Sequence, residues 1–311
     1  MFYNFFIMLW IEKYRPKLIN QIISQDKVKL TLKNFVLNKN IPHLILFGAP
    51  GTGKTTAIHA CANELRSKYY ISLLELNASD QRGIETVRKQ IKEFASTKSF
   101  IKNGLKIVVL DEADSMTKVA QFALRRIIEK YSKNVRFCIT CNYINKIIPA
   151  IQSRCMKLRF SLLSFDNLKN RLKYICDVEK INNISDTGLN VIVKCSNGDM
   201  RAAINILQNI HIISGDVDTN IISNYLDYPS NELIENILDT LTNEEYNINK
   251  KIELIKNNIY NNSFLFKDIL KQIHSKIFLN IDKYYEYYQE NITNIFSKLS
   301  YLMINSLYST K

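Results

Sequence analysis

The 311-residue sequence has no apolar run of the roughly 18 residues that a membrane-spanning helix needs. Its start, MFYNFFIMLW, is apolar and aromatic but lacks a basic leading region and a small-residue cleavage site. That argues against a secretory signal and for a short unstructured leader. Cysteine is sparse: six residues, at 61, 138, 141, 155, 176 and 195. Only Cys138 and Cys141 have C-x-x-C spacing, and no second pair or histidine cluster accompanies them. They lie in VRFCITCN, which reads as a buried strand, where residues three apart point to opposite faces. That is wrong for a chelate. Reduced core cysteines in a reducing compartment, cytosolic or nuclear, are the expectation. No internal repeat stands out.

What is present is ordinary globular composition, 46% hydrophobic and 23% charged, with length for two or three domains. The net charge of +13 is unevenly placed. Residues 1–160 hold 27 Lys/Arg against 11 Asp/Glu, residues 161–225 hold 6 against 7, and residues 226–311 hold 9 against 11. A bias in composition would spread along the chain. Confinement to the first of these segments points to a domain that faces a polyanion, with a solvated basic surface as the alternative.

Residues 27–39 read as an amphipathic helix, with Val28, Leu32, Phe35 and Val36 on one face. HLILFG then reads as a strand buried on both faces, ending in GAPGTGKTT and a helix, AIHACANELRS. SLLELNAS, KIVVLDEAD and VRFCITCN are further strands, separated by helices over about 83–94 and 118–131. Strands alternating with helices imply an α/β fold with a parallel sheet. After residue 160 the pattern turns helical, in SFDNLKNRLKYICDVEK, SDTGLNVIVKCS and DMRAAINILQNIHII. The expected domains are therefore 1–160, an α/β nucleotide domain; 161–225, a helical domain; and 226–311, an all-α domain. The tyrosines of DKYYEYYQE invite a base-stacking reading. Their helical spacing without a local basic excess fits core or subunit contact better.

GAPGTGKT, residues 48–55, satisfies G-x-x-x-x-G-K-[ST] between an expected strand and an expected helix, the context that confirms a P-loop. Gly48, Gly51 and Gly53 let backbone N–H groups wrap phosphates, with Ala49, Pro50, Thr52 and Thr56 completing the cradle. Lys54 reaches the β- and γ-phosphates of ATP, and the Thr55 hydroxyl ligates Mg²⁺. In IVVLDEAD an apolar strand delivers Asp111 beside this loop as a second Mg²⁺ ligand. Glu112 is then placed to orient and deprotonate the attacking water. The letters D-E-A-D do not make a DEAD-box helicase. That architecture needs a second α/β domain, and everything after residue 160 is helical and too short. On this reading Ala113 and Asp114 are incidental.

Asn142 ends the fourth strand. It suits a role at the lytic water or γ-phosphate and equally suits a strand-end cap. Arg154 in QSRC and Arg201 in GDMR are single arginines of a kind that usually sits on surfaces. RGIETVRKQIK puts Arg88 and Lys92 one turn apart, with Arg82 and Lys89 nearby. Such a row can track a DNA backbone or be ordinary solvated helix charge. No aromatics interleave it, so base reading is not expected.

Taken together these stretches resemble AAA+ ATPases and, more narrowly, the small subunits of the eukaryotic clamp loader, replication factor C. The resemblance is carried by WIEKYRPKLINQIISQ, LELNASDQRGIETVRKQIKEFA, LDEADSMTKVAQFALRRIIEKY, RFCITCNYINKIIPAIQSRC and SNGDMRAAINILQ, and it covers residues 9 to about 210. Within the family, CNYINKIIPAIQSRC most resembles the small subunit numbered third in yeast and fifth in human. The resemblance implies an AAA+ P-loop domain, a helical lid and a helical collar that closes a five-subunit ring. It implies that Trp10, Tyr14 and Arg15 lie near the nucleotide, and that Asn142 and Arg201 are the first and second sensors. Arg154 would be an arginine finger acting on ATP of a neighbouring subunit, and Arg125 and Arg126 would relay DNA contact to the ATP site. Implied partners are the other loader subunits, the sliding clamp (PCNA) and primer–template DNA, in the nucleus, with no membrane. Two alternatives stand beside this: a structural, ATP-binding subunit of the same ring, and a different AAA+ DNA motor such as a branch-migration helicase.

Overall fold

The computed structural model describes residues 9–23, 25–78, 84–97, 104–181, 184–214, 221–222, 225–226, 229, 231–242, 249–250, 253–254, 256 and 266–279. The chain divides into two compact units, Met1–Asn182 with Ile192–Ile212, and Asn183–Val191 with Ile213–Lys311.

The first unit is organised by five parallel strands: β1 (Leu44–Gly48), β2 (Ile71–Asn77), β3 (Leu105–Asp111), β4 (Val135–Cys141) and β5 (Met156–Phe160). Their order is β2-β3-β4-β1-β5. The chain leaves β1, crosses to β2 at the far edge, returns through β3 and β4, and passes β1 to lay down β5. Residues of alternating parity along each strand therefore face two helical layers. On one face, Leu44, Leu46, Ile107, Val109 and Cys138 pack with Val28, Leu32 and Val36 of α2 (Asp26–Asn38) and Ala57, Ile58, Cys61 and Leu65 of α3 (Lys54–Lys68). On the other, Ile45, Val108, Leu110, Phe137, Ile139 and Cys141 pack with Ile91 and Ala95 of α4 (Ile84–Ser96) and Leu124, Ile127 and Ile128 of α5 (Lys118–Tyr131). Cys138 and Cys141 thus sit on opposite faces. Burial pushes both thiols up, Cys141 to about 12, so both stay protonated.

The fifth strand, MKLRF, escapes the sequence reading. It is an edge strand: Leu158 and Phe160 are buried while Met156, Lys157 and Arg159 are exposed. Charged residues on an edge strand guard against stray pairing, and here they erase the apolar run that marks a central strand.

A short helix α1 (Trp10–Lys13) precedes α2, and α6 (Pro149–Gln152) precedes β5. α7 (Phe165–Glu179) and α9 (Met200–Ser214) follow the sheet, with α8 (Asp186–Ser196) between them. Ser164 caps α7 by accepting from Asn167 N at 3.4 Å. Thr117 caps α5 in the same way, accepting from Ala120 N at 3.3 Å. In the second unit, α10 (Asn231–Thr242) packs Ile234, Ile237 and Leu238 against Ile269, Ile273 and Ile277 of α11 (Phe266–Leu279). No helix among the described residues is long and apolar enough to cross a membrane. The tyrosines of DKYYEYYQE lie outside the described residues.

Candidate active site

The carboxyl ends of β1, β3 and β4 open into one cavity of about 250 Å³, closed on its other side by α1, α7 and α9. A crevice beyond the carboxyl ends of parallel strands, beside the point where strand order reverses, is where such folds bind ligands. Pro50 to Thr56 line it along one wall.

Glycine is required twice along the phosphate loop. At Gly48, φ is +149°, and a Cβ would lie 2.2 Å from the carbonyl oxygen of Phe160 in β5. At Gly51, φ is +66°, and a Cβ would overlap the Asp199 carboxylate. That carboxylate is occupied in capping α9: Asp199 Oδ1 accepts from Arg201 N at 2.8 Å and Ala202 N at 3.1 Å. Met200 N in turn donates to Gly51 O at 3.3 Å. The N-terminus of α9 is therefore seated directly on the phosphate loop, and Arg201 is carried to the cavity wall.

Lys54 is buried, and its ammonium donates to Gly48 O, Ala49 O and Asn142 Oδ1, each at 2.9 Å. Burial holds its pKa below the ordinary lysine value, and the carboxylates of Asp111 and Asp114 offset only part of that. Thr55 Oγ1 donates to Asp111 Oδ2 at 3.0 Å. The other Asp111 oxygen accepts from the Thr140 hydroxyl and, at 3.0 Å, from Glu112 N. Glu112 adopts φ 54°, ψ 39° and opens a single 3₁₀ turn over Ala113–Ser115. A left-handed conformation costs a non-glycine residue about 1–3 kcal/mol. Here it folds the Glu112 N–H back onto Asp111 and leaves the Glu112 side chain on the cavity wall.

The structure thus gathers Lys54, Thr55, Asp111, Glu112, Asn142 and Arg201, with Tyr14 and Arg15, around one cavity. Arg15 pairs with Glu12 at 3.2 Å, and the Tyr14 hydroxyl donates to Glu179 of α7 at 2.5 Å. Trp10 does not line the cavity. It is buried against α9, where its backbone N–H donates to Gln208 Oε1 at 2.9 Å and its ring stacks on His211 at 5.5 Å. Arg154 also lies outside the cavity, at the turn between α6 and β5. Lys89 and Lys92 are exposed on α4. Arg82 and the side chain of Arg88 lie outside the described residues. Arg125 pairs with Glu129 at 2.9 Å, and Arg126 makes no ion pair among the described residues.

Four contributors escaped the sequence reading. Asp114, read as incidental, is not: its Oδ2 accepts from the backbone N–H groups of Asn142 and Tyr143, both at 3.3 Å. It fixes the loop that presents Asn142 to Lys54. Thr140 was signalled only as a polar residue at the end of an apolar strand. Asp199 was signalled as an acid just before a helix, an N-cap pattern. Arg171, on α7, lines the cavity and donates to Tyr14 O at 2.7 Å, and nothing local in the sequence marks it.

Residues 44–162 match the family "ATPase family associated with various cellular activities (AAA)", and residues 170–211 match "RCF1/5-like, AAA+ ATPase lid domain". Replication factor C subunit 5 of Homo sapiens is 46% identical over 239 residues, covering 76% of this chain and 70% of the human protein. The chain belongs to the replication factor C subunit family. Replication factor C subunit 3 of Schizosaccharomyces pombe is 45% identical over 238 residues, 76% of this chain and 69% of that protein. The fold extends further: the RuvB Holliday junction branch migration motor of Thermotoga maritima shares a TM-score of 0.55 at 18% identity, over 83% of this chain and 91% of its own. At that identity the likeness is one of fold alone. As a replication factor C subunit, the chain is an AAA ATPase and a component of a multi-subunit clamp loader that works in DNA replication. That sets aside the branch-migration reading and the purely structural one.

Proposed function

We propose that this replication factor C subunit binds ATP and Mg²⁺ in the cavity above β1, β3 and β4. Hydrolysis there would help open the sliding clamp and place it on primer–template DNA in the nucleus. The observation that carries the reading is the pairing of Thr55 with Asp111 and of Lys54 with Asn142 across three strands. The hydroxyl and carboxylate, 3.0 Å apart, are hard oxygen donors of the kind Mg²⁺ prefers, so the residues present fit that ion. Mg²⁺, when bound, neutralises charge on the phosphate oxygens. The chain's own residues do the rest. The loop from Gly48 to Thr56 cradles the phosphates and Lys54 contacts their terminal oxygens. Glu112 takes a proton from the attacking water, while Asn142 and Arg201 sense the γ-phosphate. ATP binding and hydrolysis then separate states of different affinity for clamp and DNA.

Arg154 completes the reading from outside. As an arginine finger lying outside its own cavity, it would serve a neighbour's, and hydrolysis would then depend on assembly into a ring, with residues 226–311 as the collar. Lys89, Lys92, Arg82 and Arg88 would meet the DNA backbone, in keeping with the basic excess of the segment that carries them.

The test is the ATPase rate of the purified chain alone and mixed with the other four loader subunits, with and without clamp and primed DNA. The expected result is a negligible rate alone that rises strongly only in the full mixture. A chain that hydrolyses ATP well by itself, stimulated by DNA but indifferent to clamp, would retire the proposal.

A further inference from the structure

Arg154 is held in place from several sides. Its Nη2 pairs with Glu129 Oε1 at 2.5 Å, and its Nη1 donates to Ala150 O at 2.6 Å and Ser153 Oγ at 3.3 Å. These three contacts leave two of the guanidinium's five donors for an external anion. The same Glu129 oxygen accepts from Arg125 Nε at 2.9 Å, one turn away on α5. One carboxylate oxygen therefore gathers two guanidinium groups from different elements, α5 and the turn before β5. Hydrogen bonds and charge from Arg125, with Arg154 adding to them, hold the Glu129 carboxyl below its usual range, so it is ionised at neutral pH.

All three side chains are more than a third exposed: 39% for Arg125, 37% for Glu129 and 36% for Arg154. Exposed ion pairs contribute little to stability, so fold maintenance does not account for the arrangement. Two cations sharing one anion leave a surplus positive charge facing outward. Long arginine side chains also carry rotamer freedom that must be surrendered on meeting a phosphate, and a geometry fixed beforehand removes that loss.

We infer that Glu129 is a positioning residue for Arg154, holding its guanidinium beside that of Arg125 in the pose that meets a terminal phosphoryl group on the neighbouring subunit. The inference rests on Arg154 acting in trans. Its ligand class is a nucleoside triphosphate whose cradle lies on another chain.

A double-mutant cycle in the reconstituted five-subunit loader tests it, read by single-turnover ATP hydrolysis at the site that Arg154 completes, with clamp and primed DNA present. Removing a finger of this kind costs about 10³-fold or more, and that is expected for R154A. E129Q, an exposed change of the same shape, is expected to slow that site about tenfold with the KM for ATP and the melting temperature unchanged. The doubly substituted ring is expected to be no slower than R154A alone, because groups acting as a unit are not additive. A wild-type rate for E129Q, or a double variant slowed by the product of the two single effects, would show that Glu129 does not act through Arg154. A wild-type rate for R154A would instead remove the trans reading itself.

Discussion

In the first unit the interior contains polar side chains: Gln25, Thr52, Lys54, Lys106, Gln121, Thr140, Ser196 and Gln208 are all buried, and all belong to it. In the second, the described core between α10 and α11 is aliphatic, built from Ile234, Ile237, Leu238, Ile269, Ile273 and Ile277. Burying a polar group without a partner is costly, so each such residue commits the surrounding backbone to one arrangement. Gln121 shows the principle: its amide donates to Met116 O and Lys146 O and accepts from Ile148 N at 2.8 Å, tying α5 to the loops on either side. Lys106 does the same at the end of α4, where its ammonium donates to Phe94 O at 2.8 Å and to Thr97. The unit that performs chemistry is specified by directional bonds. An aliphatic helix pair is specified by shape and volume.

Three changes would break or sharpen that contrast. The largest effect is expected from Ile237→Ala, which opens a cavity between α10 and α11 and should cost the second unit about 2–5 kcal/mol. Thermal unfolding would read the loss, while ATP affinity of the first unit should stay within about twofold. A large drop in affinity would mean that the two units are not energetically separate. Asp114→Ala should leave the fold intact but strip the acceptor from the N–H groups of Asn142 and Tyr143. A loss of about tenfold in kcat, equivalent to about 1.4 kcal/mol, with little change in KM is expected in the assembled ring. An unchanged kcat would return Asp114 to the incidental role the sequence suggested.

The smallest effect concerns pH. Burial would raise the Glu179 pKa, but hydrogen bonds from Lys13 at 2.7 Å and from Tyr14 outweigh it and hold the carboxyl below its ordinary range. A group depressed in the folded state contributes fully above its unfolded pKa, about 4.3, and loses that contribution as pH falls further. The contact of α1 with α7 should therefore hold at neutral pH and loosen in acid. Trp10 is the only tryptophan in the chain, so its fluorescence reports on this segment directly. A red shift beginning below about pH 4.3, absent in Glu179→Gln, is the expected outcome.

Much of the first unit was legible because its signals are local. Residues 118–131 read as a helix and form α5 over those bounds, since apolar residues recur at helical spacing and Thr117 caps the start. VRFCITCN read as a buried strand with its cysteines on opposite faces, and β4 is that strand. β5 was missed because an edge strand exposes one face, and charges there break the apolar run. Trp10, placed near the nucleotide by resemblance, does not line the cavity, and its ring packs on His211 of α9. Arg171 reached the cavity unannounced, since only the docking of α7 beside Tyr14 brings it there.

The sequence by itself determined the strand, glycine-rich loop and helix that make the phosphate cradle. All of its parts are contiguous, although the close approaches that demand glycine at 48 and 51 come from Phe160 and Asp199, which only the folded chain brings there. Tertiary structure decided what meets that cradle. Thr55 finds Asp111 across 56 residues and Lys54 finds Asn142 across 88. Both depend on β1, β4 and β3 lying side by side, where parallel strands about 4.8 Å apart bring their carboxyl ends within reach of one another. The same ordering put β5 beyond β1 and carried Arg154 to an outer face, out of its own site and into the company of Glu129.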